Sequence, residues 1–358
     1  MKKTLTLILV LSMCMVLCAC GSAATEPAAP AEPAAATASD DPYADFDAIE
    51  LIGADSTGKG AAGQIFGEYV AQRVAEITGG KLTIDYHPNA ELGGDADLLR
   101  QMQSNDIQLV VCQTAPTVSF IPEMAVFDLP MVFSKYDGDS IDDVLNGDNE
   151  FTAALRASYE AAGLHLLGFL QNATYRLTTA NVALETLPDF KALQIRTMEN
   201  SNHMAFWTAI GAEPTPLAWP EVYIALQNGT IDAEENAADT CVGANFQEVQ
   251  KYLACTNHIL YCNQICINEE AYNALDPVYQ AALDQAVTEA IDYMRPQLEK
   301  IDTDNKQILI DGGMTIIEYD NAFYDEILAL DGVKALYKDI DENQVKGLGT
   351  LLVEELKK

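Results

Sequence analysis

The stretch Gln194–Asn236, QIRTMENSNHMAFWTAIGAEPTPLAWPEVYIALQNGTIDAEEN, compresses strand, helix and turn signals into one run and sets Arg196 among them. Only six arginines occur in 358 residues, and another, Arg176, lies just upstream in ATYRLTT. Two scarce guanidiniums on neighbouring elements read as a carboxylate clamp. A guanidinium presents a fixed fork of donors that matches a carboxylate bidentately, which a flexible ammonium does not. The alternative for either residue is a surface ion pair, since 54 acidic residues are available and such pairs are common and weak.

Working outward, strand and helix patterns alternate. Residues 48–54 read as a strand and 60–77 as a helix with Ile65, Phe66, Tyr69, Val70, Val74 and Ile77 on one face, stopped by Gly79-Gly80. Residues 82–86 alternate as a strand, 95–104 read as a helix, and 107–112 form a short apolar run of the buried parallel kind. A helix at about 141–162 and a strand at 164–170 precede the clamp region. Asp276-Pro277 is a cap followed by a first-turn proline, and Tyr279, Leu283, Ala286, Ala290, Met294 and Ile301 keep helical period toward Ile310. Such a helix spans roughly 50 Å, with a kink expected at Pro296. The order predicts an α/β protein of two lobes with the ligand cleft between them, at the C-terminal ends of strands.

The N-terminus carries Lys2 and Lys3, an apolar run over 5–16 and then Leu17-Cys18-Ala19-Cys20, the pattern of a secretory signal. Residues 20–46, rich in Ala, Pro and acids, lack the apolar content for a core and read as a tether. No other segment reads as a membrane span. A formal charge of −34 repels nucleic acid. It also repels anions at long range, so an anionic ligand has to be captured by charges acting locally, within about 8 Å at physiological salt. Downstream of the signal stand Cys112, Cys241, Cys255, Cys262 and Cys266, an odd set without CxxC, expected as buried free thiols. Four scattered histidines give no metal-ligand spacing, and no cofactor is expected.

Several stretches stand in an order that resembles the solute-binding proteins of tripartite ATP-independent periplasmic (TRAP) transporters, the DctP type. LPDFKALQIR is followed by IGAEPTPLAWPEVYIALQNGTIDAEEN and FQEVQKYLACTNHIL; upstream lie ITGGKLTIDYHPNAELGGDADLLRQMQSNDIQLVV and PEMAVFDLPMVF. The resemblance covers about residues 48–275 and is looser beyond. It implies a two-lobed periplasmic-binding-protein-like fold with a long lobe-spanning helix, lobe I from 47–172 plus 262–300 and lobe II from 173–261 plus 301–358. It also implies a first-ranking carboxylate-binding arginine at Arg196, a supporting one at Arg176 on an adjacent strand, and an amide donor at Asn236. Asn236 also reads as a turn residue after a strand. Trp219 occupies an aromatic position that walls a ligand or simply joins the core. Asp95 and Gln113 match first-lobe positions that bond ligand hydroxyls, and Asp55 is a further candidate in the loop after the first strand. LCAC resembles a lipobox, implying cleavage before Cys20 and a lipid on its thiol.

Enzymatic patterns are poor. Gly53-Ala54-Asp55-Ser56-Thr57-Gly58-Lys59 satisfies G-x-x-x-x-G-K but is followed by Gly60 where a hydroxyl should hold magnesium. Glu234 and Glu235 are neighbours on a strand and point to opposite faces, unsuited to acid/base work on one bond. The expectation is a monomeric, lipid-anchored receptor on the outer face of the cytoplasmic membrane. It takes a small organic acid, whether a sugar acid such as a uronate or sialic acid or a dicarboxylate, and delivers it to TRAP permease subunits. A ligand sensor docking on a signalling receptor and a secreted hydrolase are the alternatives.

Overall fold

The computed structural model describes residues 42–358. The expected signal at 1–19, lipidation at Cys20 and nearly all of the tether lie outside the described residues. In chain order the strands are β1 (Ile49–Asp55), β2 (Leu82–His87), β3 (Leu109–Gln113), β4 (Leu164–Leu170), β5 (Leu177–Ala180), β6 (Gln194–Thr197), β7 (Glu213–Pro216), β8 (Ala233–Asn236), β9 (Tyr252–Ala254), β10 (Asn263–Asn268) and β11 (Thr315–Ile317). They form two sheets, ordered β2-β1-β3-β10-β4 and β11-β9-β5-β8-β6-β7. In the first, β2, β1 and β3 are parallel, and β10 runs antiparallel between β3 and β4. The chain therefore changes sheet after β4, again after β9 and a third time after β10. This is the two-lobed α/β architecture.

Apolar periodicity accounts for the cores. Helix Ala62–Ile77 buries Phe66, Val70 and Val74 against the long helix Pro277–Asp311, whose Tyr279, Leu283, Ala286, Ala290 and Met294 are buried. Side chains of this size contribute about 1.5–3 kcal/mol each on burial. The long helix begins at the Asp276 cap, which accepts from the Val278 N–H at 3.1 Å, and remains one helix through Pro296. Along its length it packs on β4 and Ala62–Ile77 of the first part and on helix Ala238–Gly243 of the second. Cys112, Cys241, Cys255, Cys262 and Cys266 are buried free thiols.

Two expectations about elements are corrected. The helix expected at 141–162 is two, Gly138–Leu145 and Glu150–Ala161. The break falls at Asn146-Gly147-Asp148-Asn149, where Asn149 caps the second helix by accepting from the Thr152 N–H at 2.9 Å. The end of the chain, expected with the second lobe, is shared. Helix Asp331–Asp339 packs on Ser201–Ala209, but the last helix, Leu348–Glu355, returns to lie on Glu150–Ala161.

Candidate functional site

Between the two sheets lies a cleft lined by residues of both. From the second sheet it receives Arg196 of β6, Asn236 at the end of β8, and Trp219, the first residue of helix Trp219–Gln227. From the first it receives Ser56, Asp95 at the start of helix Asp95–Gln103, and Gln113 at the end of β3. Pro220, the second residue of helix Trp219–Gln227, stands where a missing N–H costs nothing.

Arg196 is 2% exposed and takes part in no ion pair among the described residues. Its Nε donates to the Leu217 carbonyl at 2.9 Å, its guanidinium carbon stands 5.7 Å from the centre of the Trp219 ring, and its buried Nη1 has no hydrogen-bond partner among the described residues. Burial pulls its pKa below the ordinary range. A buried donor without a partner is costly, about 1–3 kcal/mol, and a site that keeps one is built to receive an acceptor.

Arg176 is placed differently. Its guanidinium is spent on Glu235, through Nε and Nη2 to the carboxylate and through Nη2 to the carbonyl at 2.8 Å, and Nη1 reaches the Gln113 Oε1 at 3.3 Å. It precedes β5, and β8 lies between β5 and β6, so it is not on a strand adjacent to Arg196. Glu235 also meets His258 Nε2 at 3.2 Å and His203 Nδ1 at 3.4 Å, and His203 Nε2 meets Asp128 at 3.1 Å. Burial disfavours the charges on Arg176, Glu235 and both histidines. Even so, Arg176 and the two histidines hold Glu235 well below the usual carboxylate range, and Asp128 with Glu235 raises His203 to about 9.

Glu234 points to the opposite side of its strand from Glu235, the side that also carries Asn236. It is paired in register with Arg196 across β8 and β6, and it accepts from Thr179 Oγ1 at 3.3 Å and from Cys241 Sγ at 3.4 Å. Burial pushes it up to about 7. Opposite, Asp95 accepts from the Ser56 hydroxyl and from the Gln113 N–H at 3.3 Å, and burial raises its pKa. At one end of the cleft the two parts touch: Asp239 Oδ2 accepts from the Ala62 N–H at 2.8 Å, and a Cβ on Gly58 would stand 3.1 Å from the Gly243 backbone.

The profile of the DctP family, bacterial extracellular solute-binding protein family 7, matches residues 61–343. The chain belongs to this family. It is a DctP-type TRAP solute-binding protein, a receptor and not an enzyme. It is 29% identical over 239 residues to the 2,3-diketo-L-gulonate-binding periplasmic protein of Escherichia coli (strain K12), covering 66% of this chain and 70% of that one. A TRAP periplasmic solute-binding protein from Desulfovibrio salexigens, solved with bound orotic acid, superposes with a TM-score of 0.80 at 25% identity, over 86% of this chain and 98% of the other. The sugar acid binding protein of Advenella mimigardefordensis, solved with galactonate, shares the fold with a TM-score of 0.81 at 22% identity, over 87% and 99%.

In this solute-binding protein, five of the residues expected at the site line one cleft: Arg196, Asn236, Trp219, Asp95 and Gln113. Arg176 stands behind the wall. Asp55 does not line the cleft; it is fully buried, accepts from the Thr57 N–H and hydroxyl, both at 2.7 Å, and from Tyr86 OH at 2.8 Å, and so shapes the loop that carries Ser56. Burial pushes Asp55 up to about 6. Sequence reasoning passed over Ser56, Thr240 and Tyr261, which line the cleft, and Glu235, which engages Arg176. Ser56 had a signal in the loop between β1 and the first helix; Tyr261 had none.

Proposed function

We propose that this protein captures a small organic acid in the cleft between its lobes and presents it to TRAP permease subunits in the membrane. The observation that carries this is Arg196, a buried guanidinium on the wall of the cleft that has neither an ion pair nor a partner for its Nη1 among the described residues. Relatives described as binding a diketo-gulonate or orotic acid support an acid as ligand. Arg196 holds the carboxylate, Asn236 and Trp219 flank it, and Asp95 with Gln113 takes the rest of the molecule. Arg176 acts through Glu235 and Gln113, fixing the floor on which Arg196 and Asn236 stand. Lobe I comprises 47–172 plus 262–300 and lobe II 173–261 plus most of 301–358, and closing them removes the acid from water, which strengthens each ionic contact. The receptor acts as a monomer, held by a lipid on Cys20 to the outer face of the cytoplasmic membrane.

Calorimetry against organic acids and their neutral analogues tests the reading. One acid should bind and its neutral analogue should not, and Arg196→Ala should weaken that acid by at least about 2 kcal/mol, or thirtyfold. Unchanged affinity in the variant would sink the assignment.

A further inference from the structure

The charges around the cleft are unequal. Arg196 is the one cation among the lining residues, against Asp95, Asp97 and Glu199. Behind the wall, Arg176 is neutralised by Glu235. Glu234 has no ion pair among the described residues; Thr179, Cys241 and, at 3.5 Å, Asn236 give it hydrogen bonds without cancelling its charge. The charged groups acting on it are Arg196 from β6, Arg176 ahead of β5, and Glu235 on its own strand. Arg196 thus already faces one buried carboxylate across the strand pair, and an acid seated on it becomes the second.

The opposite wall is an acceptor. Asp95 uses one lone pair of each oxygen, on Ser56 and on the Gln113 N–H, and the remaining pairs are free to accept from a ligand. A ligand carboxylate placed there would meet Asp95 at contact, while Arg196 and Arg176 act on Asp95 without forming an ion pair with it. A hydroxyl or N–H there would find a partner.

We infer, resting on the acid-receptor reading above, that the cleft takes an acid with a single carboxylate on a body that donates hydrogen bonds, and that Glu234 is the positioning residue that turns a second carboxylate away. It acts through Arg196: with Glu234 ionised, the guanidinium has attraction left for one anion and not for two. Like charges brought together in a desolvated site are strongly disfavoured, and this selection needs no contact between Glu234 and the ligand.

Matched sets of equal chain length test this by calorimetry on the full chain in mild detergent at pH 8, above the value of about 7 to which burial pushes Glu234. The sets are erythronate, tartrate and erythritol, then galactonate, galactarate and galactitol, with orotate as a ring acid bearing N–H donors. In at least one set the monoacid, or orotate alone, should bind; each matched diacid should be at least about thirtyfold weaker than its monoacid. Glu234→Gln should shrink that gap about tenfold or more, whereas a merely structural loss would weaken both acids alike. Asp95→Asn, which removes the charge at the other end, should also favour the diacid relative to the monoacid; if Glu234→Gln fails to fold by circular dichroism, the unmodified chain at pH 6, below the value of about 7 for Glu234, should show the same narrowing of the gap, and an unchanged ratio there overturns the role of Glu234. A diacid that binds as tightly as its monoacid, or an unchanged ratio in the folded variants, overturns the inference and leaves the acid receptor standing. A polyol that binds as tightly as its acid overturns the acid receptor itself, and silence from all seven probes overturns the assigned ligand class.

Discussion

Arg196 and Arg176 are both buried guanidiniums of one small neighbourhood, yet their removal should have opposite consequences. Arg176→Ala strands Glu235 without its strongest partner, and breaking a buried pair from one side costs about 3–5 kcal/mol, which urea denaturation should show. Arg196→Ala removes a charge that forms no ion pair among the described residues, and Glu234, which loses that counter-charge, can take up a proton instead; its stability should fall less than that of Arg176→Ala while its affinity collapses. His203 gives a pH signature. Its folded value of about 9 lies above the ordinary 6.5, so its stabilisation is complete below pH 6.5 and is lost as pH rises through 9. The difference corresponds to about 3 kcal/mol, and His203→Gln should flatten the stability profile across that window; a variant profile as steep as the parent's would assign the loss to other groups.

At the scale of elements, the contact between the Gly58 loop and the end of helix Ala238–Gly243 is where backbone meets backbone across the cleft's edge. Gly58→Leu should wedge this contact, lowering acid affinity about tenfold without altering a lining side chain; unchanged affinity would mean that closure does not use this edge. Periodicity made the helices legible: the apolar face of Ala62–Ile77 and the run from Pro277 are plain in the sequence because each buries one continuous stripe. What it hid was tertiary. Nothing local tells that β10 returns to the first sheet between β3 and β4, since strand order is settled by long-range pairing. Asn236, Trp219 and Arg196 were found through family-like spacing, whereas Tyr261 lines the cleft with its hydroxyl bonded to Thr240 at 2.7 Å, a contact no pattern announces. Asp55 was misplaced for a related reason: one residue's difference at a strand end decides whether a side chain enters the cleft or the core.

For the whole molecule, a formal charge of −34 and an anionic ligand set opposing demands. The resolution is distance: surface carboxylates act through screened solvent and Arg196 acts at contact. Stopped-flow binding should therefore show an on-rate that is flat or rising as salt increases; a steep fall would mean that long-range attraction delivers the ligand. No helix among the described residues is long and apolar enough to cross a membrane.

The five sealed thiols give this protein a built-in stopwatch. A soluble alkylating reagent can reach them only as fast as the interior opens, so mass spectrometry of labelled chains would read local opening rates in an unmodified sequence. Cys241, against Glu234, would time the breathing of the second sheet, and Cys266, within the strand shared by β3 and β4, that of the first. A bound acid that slows the first clock and not the second would show which half of the molecule it holds still.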